Sequence, residues 1–299
     1  MGSGARDRDR MIFDVSHRTS YAYAKPVLRS EHLIYLTPRR GERQSLLRHS
    51  VLIEPAPSAN VGRIDYFGND TSVLTIEDEH TELVIHARST VEVKAAPPPQ
   101  RSMPWEEVSK GALMSDGGLD VGALQFASAS RYTRPVRAAV DYALPSFGER
   151  RPILDAALDL TRRIHDDFTF DRAATDVATP VSHVLQERRG VCQDFAHLAL
   201  TCLRGLGLPA RYVSGYLLTF PPPGMEKLKG ADASHAWISV WAPGLGWVDF
   251  DPTNGMMPSE AHITLAYGRD YHDVSPISGV LLGGGDQRME VAVDVTASG

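Results

Sequence analysis

Cysteine is scarce: there are two in 299 residues, at positions 192 and 202 of the stretch RRGVCQDFAHLALTCLR. Ten helical residues span roughly 15 Å, about twice what a disulfide tolerates, so the thiols are unpaired and point to a reducing compartment. Cys-x-x-Cys and His-x-x-x-His pairs are absent and the 11 histidines are scattered, so no metal is expected. The alternative is a zinc set of Cys192, His197 and a distant histidine. Calcium loops of the Asp-x-Asp-x-Asp-Gly type are missing as well, and no cofactor is expected. No apolar run approaches the ~18 residues of a membrane span, and MGSGARDRDR lacks the apolar segment of a signal peptide. A cytoplasmic chain without a membrane partner is expected. Basic charge is short too, with 31 Lys plus Arg against 37 Asp plus Glu and a net charge of -6, which argues against a nucleic-acid partner.

What is present is ordinary globular composition, 42% hydrophobic and 23% charged, in a chain long enough for about two domains. Residues 1-10 read as a disordered tail. Residues 11-96 form a β-rich domain, in which MIFDVS, HLIYLTP, SVLIEP, IDYFGNDTSVLTI and TELVIHARSTVEVKA are short runs rich in β-formers, with FGNDT as a hairpin turn. An antiparallel sandwich or partly closed barrel is expected there. A proline-rich linker and helical connection cover 97-149. In 150-280 the composition turns helical, then strand-like. Pro152 opens a helix carrying Ile153, Ala156, Leu160, Ile164 and Phe168, and Thr179 caps another. Residues 281-299 hold a last strand that can return to either sheet, and the whole reads as α+β.

The cysteine helix assigns the two thiols different jobs. Phe195, Leu198, Ala199, Cys202 and Leu206 share one stripe, so Cys202 is a core residue. Cys192 lies in the first turn, where unpaired N–H groups and the helix dipole favour a thiolate, and Gly190 leaves room for a substrate to approach. Further on, HAWISVW and GWVDFD alternate around the turn signal APG. Matching their apolar faces sets Ala236 opposite Phe250, Ile238 opposite Val248, and His235 opposite Asp251, with Asp249 one pleat further in. A thiol at a helix start, a histidine and an orienting carboxylate are the parts of a nucleophile site. His235 takes the thiol proton, while Asp251 fixes its tautomer and stabilises the imidazolium.

RRGVCQDFAHLALTCLRGLGLPARYVSGY, GADASHAWISVW and GWVDFDPTN, with GRDYHDVSPISGV after them, resemble the bacterial transglutaminase-like superfamily, a branch of the papain-like thiol enzymes. The resemblance implies a cysteine helix packed on an antiparallel sheet that carries the histidine and aspartate. Carried over by position, these are Cys192, His235 and Asp251. The β-rich part resembles the N-terminal domain often joined to this core. Asp194, His197, Trp237 and Tyr271 are candidates for lining the cleft. The Cys192 N–H is the first oxyanion donor, and the second is left open. A thioester-forming peptidase or amidase acting on a peptide or protein amide is the leading reading. A protein-glutamine crosslinking transglutaminase is the first alternative, and a non-catalytic binding module that keeps the fold is the second. The long connection 217-234 is expected to cover the cleft.

Overall fold

The computed structural model describes residues 10-95, 97, 99, 101-111, 121-219 and 234-298. Residues 1-9, and 220-233 with most of the expected cleft cover, lie outside them. β1 (Arg10–Ile34) is one 25-residue strand in place of the two expected from MIFDVS and HLIYLTP. Pro26, which reads as a break because it has no N–H to give a ladder, lies within a bend: the pairing with β5 (His80–Lys94) shifts between Ala22 and Val27. Before the bend β1 pairs with β5 and β13 (Gln287–Ala297); after it, with β4 (Asp70–Ile76) and β12 (Ile277–Gly283). β2 (Gln44–Glu54) flanks β5, and β3 (Ala59–Ile64) flanks β4 across the expected hairpin turn. The antiparallel sheet thus curls over on itself, as sheets do where a strand bends from one layer to the next. Val27, Leu74, Ile76, Leu83 and Ile85 fill its interior.

Both C-terminal strands return to this sheet. β12, which a boundary at 280 splits, belongs wholly to it. The tail alternates Val291, Val293 and Val295 on one face, and Val293 and Val295 are fully buried.

The connection holds α1 (Trp105–Gly111), α2 (Val121–Leu124) and α3 (Arg137–Ala143); α4 (Ile153–Asp167) begins the second half. The expected α4 stripe is buried, Ile153 and Ile164 completely. Pro152 caps that helix from outside, and Pro180 does the same for α5 (Val181–Glu187). The hydroxyl of Thr179, the expected cap, instead accepts the Asp176 N–H. A short parallel pair, β6 (Thr169–Phe170) and β7 (Arg189–Gly190), leads into α6 (Cys192–Gly205).

α6 is buried on every side from Asp194 to Arg204, not along one stripe. α3, α4 and α5 surround it, and a sheet ordered β10-β9-β8-β11 closes the remaining side. Those strands are β8 (Ala210–Leu217), β9 (Ser234–Ala242), β10 (Gly246–Phe250) and β11 (His262–Gly268). Phe13, Val15, Val91 and Val93 of the curled sheet join the same apolar core as α4 and α6.

Candidate active site

The hairpin β9–β10 is formed, but its register differs from the one expected. Phe250 faces Ile238, Val248 faces Val240 and Asp249 faces Ser239. The slip is two residues. The turn follows the type II pattern, with Pro243 and then Gly244 at its corners: Leu245 N–H donates to Ala242 O at 3.0 Å, and Gly244 has φ +77. Ala242 then pairs with Gly246, also at positive φ. Because side chains alternate with period two, a two-residue slip leaves every residue on its face.

Asp251 consequently has no direct partner across β9, while His235 pairs with Gly215 on β8. The two still meet: β10 ends at Phe250, and His235 Nε2–H donates to Asp251 Oδ2 at 2.7 Å. Gly215 makes room for the Trp237 ring that packs beside His235. A Cβ there would overlap the Trp237 ring and the Ile263 carbonyl.

Asp251 is fully buried and its carboxylate accepts five hydrogen bonds. His235 Nε2, His262 Nε2 (3.0 Å) and Asn254 Nδ2 (2.6 Å) converge on Oδ2. The backbone N–H groups of Thr253 and Asn254 reach Oδ1. Burial opposes its charge, but the histidines and Asn254 hold its carboxyl well below the usual range. Burial likewise opposes charge on His235. Hydrogen bonds to Asp251 and to the Cys192 thiol overcome it and hold the imidazole up to about 10. Cys192 heads α6 and is half-buried. Thiol, imidazole and carboxylate form one continuous chain of contacts. Trp237 is buried beside it, edge-on to His262 at 5.2 Å, with its indole N–H on Asp249 at 3.1 Å. That bond occupies Asp249 away from His235.

Asp194 and His197 do not line an open cleft. The Asp194 carboxylate accepts Val191 N–H (2.8 Å) and the Thr175 hydroxyl (2.6 Å); burial raises its pKa against those bonds. It ties the start of α6 to the segment before it. Gly190 makes room for this bond, since a Cβ there would stand 2.8 Å from Asp194 Oδ2. His197 is stacked on Tyr132 (5.4 Å) and accepts the Tyr271 N–H at 3.2 Å. Burial pulls it down to about 4, so it is neutral. Tyr271 thus reaches His197 and the edge of Tyr212, and no hydrogen bond joins it to Cys192 among the described residues.

His262 and Asn254 are the residues that sequence reasoning missed. Asn254 carries a signal, standing three residues after an Asp in DPTNG, a sequence suited to a side-chain-bonded turn. His262 carries none, because its approach to Asp251 depends on the sheet order. His235, Asp251 and His262 are also the one cluster among the described residues with metal-ligand spacing, and Oδ2 is already shared by both imidazoles. The alternative zinc set fails at His197, whose Nε2 is occupied by Tyr271.

A thiol at the head of a buried helix, facing an imidazole and carboxylate on an antiparallel sheet, defines the papain-like class of architecture. The family model for the transglutaminase-like superfamily matches residues 142-252, and that for the bacterial transglutaminase-like N-terminal region matches residues 13-92. An uncharacterized protein of Mycobacterium tuberculosis is 38% identical over 297 residues, covering 95% of this chain and 92% of its own. A protein-glutamine gamma-glutamyltransferase of Pseudomonas aeruginosa is 35% identical over 108 residues, 35% of this chain and 16% of that one. The crystal structure of a "Putative Cysteine Protease" from Cytophaga hutchinsonii superposes with TM-score 0.77 at 22% identity, over 97% of this chain and 91% of that one, a likeness of fold. This chain belongs to the bacterial transglutaminase-like family, with its N-terminal region and its core both present.

Proposed function

We propose that the protein is a thiol-dependent acyl-transfer enzyme that hydrolyses peptide or amide bonds. One observation carries this reading: His235, bonded at 2.7 Å to the buried Asp251, has its pKa raised by that carboxylate and by the Cys192 thiol together. In the reaction, Cys192 Sγ attacks the amide carbonyl carbon with the thiol proton already carried by His235, whose imidazole Asp251 holds in its charged form. The Cys192 backbone N–H, at the positive end of α6, serves the developing oxyanion. His235 then protonates the leaving amine as the C–N bond breaks, and a thioester remains. Water, deprotonated by His235, releases the acid and restores the thiol. Two free cysteines support a reducing compartment, the cytoplasm.

The similarity to a protein-glutamine gamma-glutamyltransferase over 108 residues favours a second reading, in which an amine replaces water as the acceptor. A non-catalytic module is disfavoured because thiol, imidazole and carboxylate are all kept.

The test is intact-mass detection of acyl adducts during incubation with a peptide library, run beside Cys192→Ala, with monodansylcadaverine as an added amine. An adduct that forms only with Cys192 and decays to free acid supports hydrolysis. Stable incorporation of the amine supports crosslinking. Absence of any Cys192-dependent adduct or product leaves the binding-module reading.

A further inference from the structure

Between the β1–β2 connection and the face of the second sheet that bears Trp237 lies a cavity of about 720 Å³. It is within the size range of small-molecule sites, about 300–1,000 Å³. Trp237 and His262 form its end nearest His235, and Arg211 stands four residues along β8 from Gly215, the partner of His235. At about 3.3 Å per residue that is roughly 13 Å, so the far end of the cavity is separate from the thiol site.

Arg211 is the notable group. Its guanidinium is stacked 3.4 Å from the centre of the Tyr267 ring and 4.3 Å from that of Trp247. Burial pulls its pKa down to about 10, which leaves it charged at neutral pH. Nε is buried with no hydrogen-bond partner, as is the hydroxyl of Ser239, its neighbour across the strands. No carboxylate forms an ion pair with Arg211 among the described residues. The other three arginines of the lining are engaged: Arg39 with Phe67 O and Asn69, Arg40 with Asp70, Arg43 with Lys94 O. A buried cation without an ion pair is costly; Asp249, on the same lining, offsets part of that cost from a distance, and the stacked rings leave only the guanidinium edge to meet a closer partner.

We propose that this cavity binds a carboxylate, held by the edge of Arg211, on a ligand whose flat or apolar body lies along Trp247. The planar fork of arginine matches two carboxylate oxygens. With the other three arginines of the lining engaged, Arg211 offers a single planar fork, which one carboxylate fills and a tetrahedral phosphate fits less well. The same chemistry is offered by a small free acid and by the C-terminus of a peptide.

The test is direct binding, read by calorimetry and tryptophan fluorescence on the full chain, so it does not depend on the acyl-transfer reading. The probes are sodium benzoate, acetyl-Ala-Ala-Phe with a free C-terminus, the same peptide as its amide, and inorganic phosphate. The expected result is saturable binding of at least one carboxylate, weakened at least tenfold by amidation of the peptide or by Arg211→Gln, with an unchanged melting curve for the variant. Benzoate binding as tightly as the acid peptide assigns the site to small acids, and peptide alone assigns it to chain termini. Should Arg211→Gln fail to fold, Arg211→Lys, which keeps the charge and loses the fork, is expected to weaken binding at least tenfold. Equal binding of acid and amide, indifference to both substitutions, preference for phosphate, or no binding by any probe overturns the proposal.

Discussion

At the residue scale the two thiols differ by environment alone. Cys202 is fully buried, and burial pushes its thiol up to about 12; it donates to the Ala139 carbonyl at 3.1 Å. Limiting iodoacetamide followed by peptide mapping should therefore label the half-buried Cys192 at least roughly tenfold faster, since thiolate is the reactive form. Preferential labelling of Cys202 would reverse the assignment. Asp251→Asn should lower turnover by about 10²–10⁴ with the fold intact, because an amide can bond His235 but cannot stabilise its cation. Asp249→Asn should cost less than about tenfold, since Asp249 serves Trp237; a larger loss there than at Asp251 would contradict the roles given. His235 also makes stability depend on pH. Its folded pKa of about 10 lies above the ordinary 6.5, so its contribution is full below about 6.5 and fades as pH rises towards 10. The melting-temperature gap between wild type and His235→Gln should narrow across that window.

The elements of the site were legible in the sequence to different depths. The alternation of HAWISVW and GWVDFD puts His235 and Asp251 on one face, and that survives because faces repeat every two residues. The register does not survive. Two turns around Pro-Gly satisfy the same alternation, and backbone angles at Gly244 and Gly246 decide between them. Cys192 was legible from its place at a helix start. The duties of Asp194 and His197 were not, because polar residues on a helix read as solvated until the elements that bury them are known. The strand β8 gives this scale its prediction. Gly215→Ala would drive a methyl group into Trp237 and Ile263 O, costing about 1–3 kcal/mol by overpacking. Urea unfolding should show that loss, together with a fall in activity as Trp237 shifts beside His235. An unchanged midpoint would mean that the ring has somewhere else to go.

Across the whole molecule, the two regions that composition separates are one packed body. Val91, Val93, Val293 and Val295 share a core with α4 and α6, so calorimetry should record a single cooperative transition, and two resolved transitions would refute the shared core. Neither this packing nor the return of β12 and β13 could be read locally. A strand of alternating valines suits either sheet, and the choice depends on which edges of β1 lie open once it has bent.

That return also determines how the molecule answers to force. Phe13 pairs with Ala297, and Ser298 N–H donates to Ile12 O at 2.7 Å, so the two ends of the described chain leave the same corner of adjacent antiparallel strands. Tension applied at Arg10 and Ser298 loads their hydrogen bonds one after another, as a zipper does, instead of shearing them together. Pulled at those two residues, the chain surrenders β13 first and at low load, baring Val293 and Val295 while the thiol site is still assembled.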